Sequence, residues 1–123
     1  MLQRIEMDDR ISLMDQLSSE VGPVILINTF KVAPEDAEAL LAAWAADAAY
    51  LKTKPGFIST QLHRGIAGSG VFLNSAVWES VEAFRNAFGD PKFQETFASY
   101  PDSTVASPHL FQKVAVSGIC VDR

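Results

Sequence analysis

The spacing of hydrophobic residues changes period several times along the chain, and each change marks an element. Residues 24–32, VILINTFKV, alternate with a period of two. Val24, Leu26, Asn28, Phe30 and Val32 share one face, and Ile25, Ile27, Thr29 and Lys31 the other. Both faces begin apolar, which predicts a strand central to its sheet and covered on both sides. After Pro34 the period becomes helical. Leu40, Leu41, Trp44, Ala48 and Leu51 form one stripe in an alanine-rich segment. Glu35, Asp36 and Glu38 suit the positive end of the macrodipole, Lys52 and Lys54 the negative end, and Pro55-Gly56 stops the helix. Residues 57–66 and 71–79 read as two further strands, joined through Ala67-Gly68-Ser69-Gly70 as a hairpin. Ser80 caps a helix carrying Ala83, Phe84, Ala87 and Phe88. Asp90 and Pro91 start another with Phe93 and Phe97. HLFQKVAV, residues 109–116, supplies a fourth strand, which Ile119, Cys120 and Val121 extend.

The order is β-α-β-β-α-β with the second helix broken in two. That predicts an α+β, ferredoxin-like domain: a four-stranded antiparallel sheet with its helices on one face. The opposite face carries Ile25, Ile27, Val71, Leu73 and Val77, a larger apolar patch than monomers usually expose, so a homodimer packed sheet to sheet is expected. Residues 22–116 form the domain and 117–123 a C-terminal extension. Residues 1–21 read as a leader. Ile11, Leu13, Met14 and Leu17 make one stripe of a short helix from near Asp9, before Gly22-Pro23 breaks it. The leader is either a frayed tail or an arm lying on a partner subunit.

A length of 123 residues suits one domain large enough to fold without disulfides or metal. Ten Lys and Arg against fifteen Asp and Glu leave a net charge of −5, with no basic cluster, which argues against nucleic acid. Cys120 is the only cysteine, and no Cys/His spacing points to zinc. Apolar runs fall short of a membrane span. Asp8, Asp9, Asp15 and Glu20 interrupt the first twenty residues, unlike a secretory signal. A soluble cytoplasmic domain is the expectation.

Candidate chemistry rests on polar residues placed on apolar faces. Asn28 falls on the face that the long helix should cover. A buried amide without partners costs about 1–3 kcal/mol, so Asn28 is either bonded to nearby backbone or kept for a ligand. Trp78 shares a strand face with Phe72, Asn74 and Ala76, and Trp44, Phe84, Phe88, Phe93 and Phe97 can enclose the same space. Large rings at such spacing usually build core. Asn28 and Asn74 among them also suit an apolar pocket with a few orienting polar groups, and hence a small planar aromatic ligand. His63 and His109 could act as bases, although neither has a partner at metal-ligand spacing. Arg64, Tyr50 and Tyr100 are weaker candidates. No phosphate loop, dinucleotide fingerprint or nucleophile elbow occurs.

The strand ending in Asn28-Thr29-Phe30, the Lys54-Pro55-Gly56-Phe57 lead-in to the second strand, the run from Val77 to Phe84 (VWESVEAF) and the closing run from Pro108 to Val114 resemble the antibiotic biosynthesis monooxygenase family. The resemblance spans about residues 22–116. It implies a dimeric α+β barrel, with Asn28 and Trp78 matching the family's pocket asparagine and tryptophan. Some members oxidise polycyclic phenols to quinones with O2, using no flavin or metal, so no cofactor is expected. A second branch degrades haem held by a histidine on the helix after the tryptophan. Here Ala87 stands near that position and residues 64–108 contain no histidine, which disfavours haem degradation. Three readings follow. The first is a cofactor-independent monooxygenase with Asn28 and Trp78 as catalytic residues. Trp44, Phe72, Asn74, Phe84, Phe88 and His63 would then bind substrate. The second is a ligand-binding or stress-related dimer without turnover. The third is an isomerase, dehalogenase-like or lyase relative relying on His63 as base.

Overall fold

The computed structural model describes residues 1–123. Its elements run β1 (Gln3–Arg4), α1 (Leu13–Gln16), β2 (Val24–Lys31), α2 (Ala37–Leu51), β3 (Phe57–Arg64), β4 (Val71–Trp78), α3 (Val81–Phe88), α4 (Pro91–Glu95) and β5 (Val105–Phe111). A 3-10 turn, Pro34–Asp36, leads into α2, and another, Thr96–Ser99, follows α4. The sheet order is β1-β5-β2-β4-β3, with β2 central as its two apolar faces predict. The fold is α+β and ferredoxin-like. The local signals act as expected: Ser80 Oγ accepts from the Ala83 N–H at 3.0 Å, and Asp90 Oδ1 from the Lys92 N–H at 2.8 Å. Gly56, at φ 86°, takes the left-handed conformation that turns α2 into β3.

Two expectations need correction. The sheet has five strands, not four, because Gln3–Arg4 pairs in parallel with Val105 and Ala106. A two-residue strand has no periodicity to read. The last strand covers Val105–Phe111 rather than residues 109–116. Pro108 argues against a strand when read locally, yet it pairs opposite Asn28. There β5 is an edge, since β1 covers only its first two residues, and an edge tolerates a missing N–H. Beyond Phe111 the chain is exposed, with a single bridge between Val116 and Cys120.

The leader lies on its own chain. Ser12 and Asp15 form a reciprocal capping box around α1. Leu13 and Leu17 are buried in a cluster with Val24, Leu26, Trp78 and Phe84, while Ile11 and Met14 face out. Gln16 closes the β5 edge: the Leu110 N–H donates to its Oε1 at 2.7 Å, and its Nε2 lies 2.9 Å from His109 Nδ1. A second cluster, built on Phe30, Leu40, Phe72, Tyr100 and Ala106, fills the other end of the helical layer.

Candidate functional site

Between these two clusters the packing leaves a cavity of about 70 Å³. Fifteen of its 21 lining residues are hydrophobic, a composition suited to binding a small organic molecule. The floor comes from the sheet. Because β2 and β4 pair Asn28 opposite Asn74, both amides stand on the helix-facing side. Ala76 and Trp78 continue that face, and Thr60 joins from β3, its hydroxyl donating to Asn74 Oδ1 at 2.6 Å. The roof is Trp44, Asp47, Ala48 and Leu51 of α2. Aromatic rings form one wall: Phe84 stacks on Phe88 at 5.6 Å, Phe88 lies 6.0 Å from Phe93, and Phe93 meets Phe97 edge-on at 5.0 Å. Exposed Arg4 closes one side, its guanidinium 5.4 Å from the centre of the Phe88 ring.

Of the residues singled out from the sequence, Asn28, Asn74, Trp44, Trp78, Phe84 and Phe88 border this one cavity. Trp78 is 1% exposed and held edge-on between Phe57 and Phe84, so only a sliver of it faces the space. Two others lie elsewhere. Phe72 belongs to the second core cluster, and His63 is exposed on β3 with Nδ1 3.4 Å from the Leu73 carbonyl oxygen. Phe72 shares the helix-facing side with Asn74 but is 1% exposed within the second cluster, while its cross-strand partner Phe30 reaches the lining. His63 occupies the outer face of β3.

The polar atoms that lack partners set this cavity apart from ordinary core. Asn28 Oδ1, Trp78 Nε1 and Asp47 Oδ1 are buried with no hydrogen bond, and all three residues line it. Buried polar groups are nearly always paired, and three of the four unpartnered buried side-chain atoms of the chain fall around this one apolar space, the fourth being Thr104 Oγ1 elsewhere in the core. Asp47 is the residue that sequence reasoning passed over. Its signal was present: it lies three residues after Trp44 and seven after Leu40, a carboxylate on the buried stripe of α2. It is 5% exposed, and Tyr100 Oη donates to its Oδ2 at 2.5 Å. Burial pushes the Asp47 carboxyl above the usual carboxylate range, while the nearby Thr96 and Tyr100 hydroxyls pull partly back. Burial, helped by the Asp47 charge, also raises the Tyr100 phenol, so Tyr100 stays a donor.

Residues 23–99, well over half of the chain, match the family described as antibiotic biosynthesis monooxygenase. No curated protein matches the chain. Among solved structures, SnoaB from Streptomyces nogalater, a cofactor-independent oxygenase, is 26% identical with a TM-score of 0.67, over 80% of this chain and 99% of that one. A provisionally assigned monooxygenase from Shewanella loihica PV-4 is 29% identical with a TM-score of 0.65, over 80% and 100%. Rv0793 from Mycobacterium tuberculosis, at 19% identity and a TM-score of 0.64 over 79% and 100%, shares the fold. With its sheet, its aromatic cavity and this match, the chain belongs to the antibiotic biosynthesis monooxygenase family.

Proposed function

We propose that this protein is a cytoplasmic monooxygenase that oxidises a small aromatic or quinol with O2, drawing the electrons from the substrate. The observation that carries the reading is the pair of unpartnered atoms, Asn28 Oδ1 and Trp78 Nε1, at one apolar cavity in a member of this family. The likeness to SnoaB, a cofactor-independent oxygenase, supports it. For a ring methylene next to an aromatic system the balance closes: CH2 becomes C=O, one oxygen atom enters the product, and the other leaves as water with the two hydrogens. The four electrons come from the substrate. Asn28 makes no side-chain hydrogen bond, so its amide is free to turn its NH2 toward a developing oxyanion. Such stabilisation is worth several kcal/mol in a water-poor site. The test is O2 uptake with anthrone or simple quinols. Uptake above buffer that falls in Asn28→Ala supports the reading; no uptake, or full rate in that variant, sinks it.

The burial of Trp78 favours a second reading, a binding protein without turnover, because a ligand would touch little of that ring. Ligand-induced stabilisation with no O2 uptake would support it. The isomerase or lyase reading loses its base, since His63 is exposed and outside the cavity. The proposed functional unit is a homodimer. On the outer sheet face Ile25, Ile27, Leu73 and Val77 are only half-covered and Val71 is exposed, leaving apolar surface for a second copy.

A further inference from the structure

We propose that Asp47 is the proton acceptor of the cavity, its Oδ1 removing the proton from a hydroxyl on the bound ring while Tyr100 positions the carboxylate from the other side. The inference rests on the cavity being a substrate site, and it narrows the substrate to an aromatic carrying an acidic phenolic or enolic hydroxyl. Its basis is geometric. Asp47 is almost wholly buried, lines the cavity, and has one oxygen held by Tyr100 and the other held by nothing. Structure alone does not call for that second oxygen. Tyr100 needs one acceptor, which a neutral asparagine would also supply, without the cost of burying a carboxylate. The Thr96 hydroxyl lies near enough to draw the Asp47 carboxyl down, yet in this structure it donates to the Phe93 carbonyl at 2.5 Å and leaves Oδ1 without a partner. Arg4 is the only other charged residue of the lining, and it forms no ion pair, so a cation faces the same space in which an anion would form. In its ionised form, a buried Asp47 is a stronger proton acceptor than an exposed carboxylate, because burial raises it.

In the step itself the O–H bond of the ring's enol, the tautomer of its methylene ketone, breaks, its electron pair stays on the ring as the enolate, and a new O–H bond forms at Asp47 Oδ1. No electron leaves the ring until the enolate carbon meets O2. The remaining hydrogen of that carbon and the proton on Asp47 leave with the second oxygen atom as water.

The probe is 1,8-dihydroxyanthrone, whose anion and neutral forms differ in visible absorption. Mixed without O2 at a pH where the free compound is neutral, the intact protein should give the anion spectrum. In Asp47→Asn binding should stay within about threefold and the spectrum should be neutral. With O2 present, that variant should lose 10²–10⁴-fold in oxidation rate, the usual contribution of a general base. Tyr100→Phe should keep binding but move the pH–rate midpoint upward, because the carboxylate loses a hydrogen bond that favours its charged form. An anion spectrum that persists in Asp47→Asn, an unshifted pH profile in Tyr100→Phe, or a neutral or absent bound spectrum in the wild type overturns the assignment. An anion spectrum lost in Asp47→Asn, with no O2 uptake by the wild type, upholds Asp47 as acceptor and rejects the oxygenase reading instead.

Discussion

Replacing Leu13 by alanine asks whether the leader belongs to the core. Leu13 is 2% exposed and packs with Leu17, Val24, Leu26, Trp78 and Phe84. The substitution removes three carbons, worth roughly 0.8 kcal/mol each and so about 2.4 kcal/mol of transfer free energy. The cavity left behind carries the usual cost of such changes to about 2.5–5 kcal/mol. One structural fact limits the total. α1 is a single turn, and it is held by two leucines, the Gln16 contacts to β5 and a bond from the Arg85 guanidinium to the Leu17 carbonyl at 2.7 Å. If undocking that arm costs less than keeping a void, the loss stops at the docking free energy. The expected destabilisation is therefore about 2–3 kcal/mol, a fall of roughly 10 °C in Tm for a domain of this size. Urea unfolding followed by tryptophan fluorescence measures it, with the midpoint falling and the slope unchanged. Met14→Ala is the control, since Met14 is 64% exposed and should cost under about 0.5 kcal/mol. If Leu13→Ala and Met14→Ala unfold at the same urea concentration, the leader is not part of the cooperative core.

Asp47 also predicts a pH dependence of stability. Its folded-state pKa lies above the unfolded value, so the native state holds this proton to higher pH. Its contribution is most favourable below about pH 4 and declines as pH rises through the raised value. Asp47→Asn should gain stability relative to wild type as pH climbs toward neutrality, read from Tm across pH; a constant difference contradicts this. At Gly56, alanine faces both a φ of 86° and a Cβ only 2.3 Å from that of Ala83, so Gly56→Ala should cost more than about 1 kcal/mol in urea unfolding. Leu73→Lys charges the outer sheet face and should turn a dimer into a folded monomer by light scattering. A wild-type monomer at micromolar concentration would refute the dimer itself.

The long elements were legible because their signals are local and repeated. The alternation in β2 and the stripe of α2 state their own periods, and the caps at Ser80 and Asp90 sit where a hydroxyl or carboxylate meets free N–H groups. The candidate site was legible in part for the same reason. Asn28 and Asn74 interrupt apolar faces, and an interruption is visible in one strand at a time. Phe72 shows the weakness of that reading: it sits on the right face, yet it is packed into core while its cross-strand partner Phe30 lines the cavity. β1 and the start of β5 escaped because two residues carry no period and Pro108 speaks against a strand until its neighbours are known.

The sequence alone settled the order of the long elements, the two faces of β2 and β4, and the family motifs. These depend on spacings of two to four residues, within reach of one helix or strand. Only the tertiary structure decided that Leu13 and Leu17 complete the core, that Arg4 reaches the cavity and that Asp47 meets Tyr100. Each joins residues tens of positions apart, and the free energy of such a contact comes from burial that exists only once both partners have folded around it. The three unpartnered atoms belong to the same class: a side chain's lack of a partner depends on everything around it, which no local pattern records.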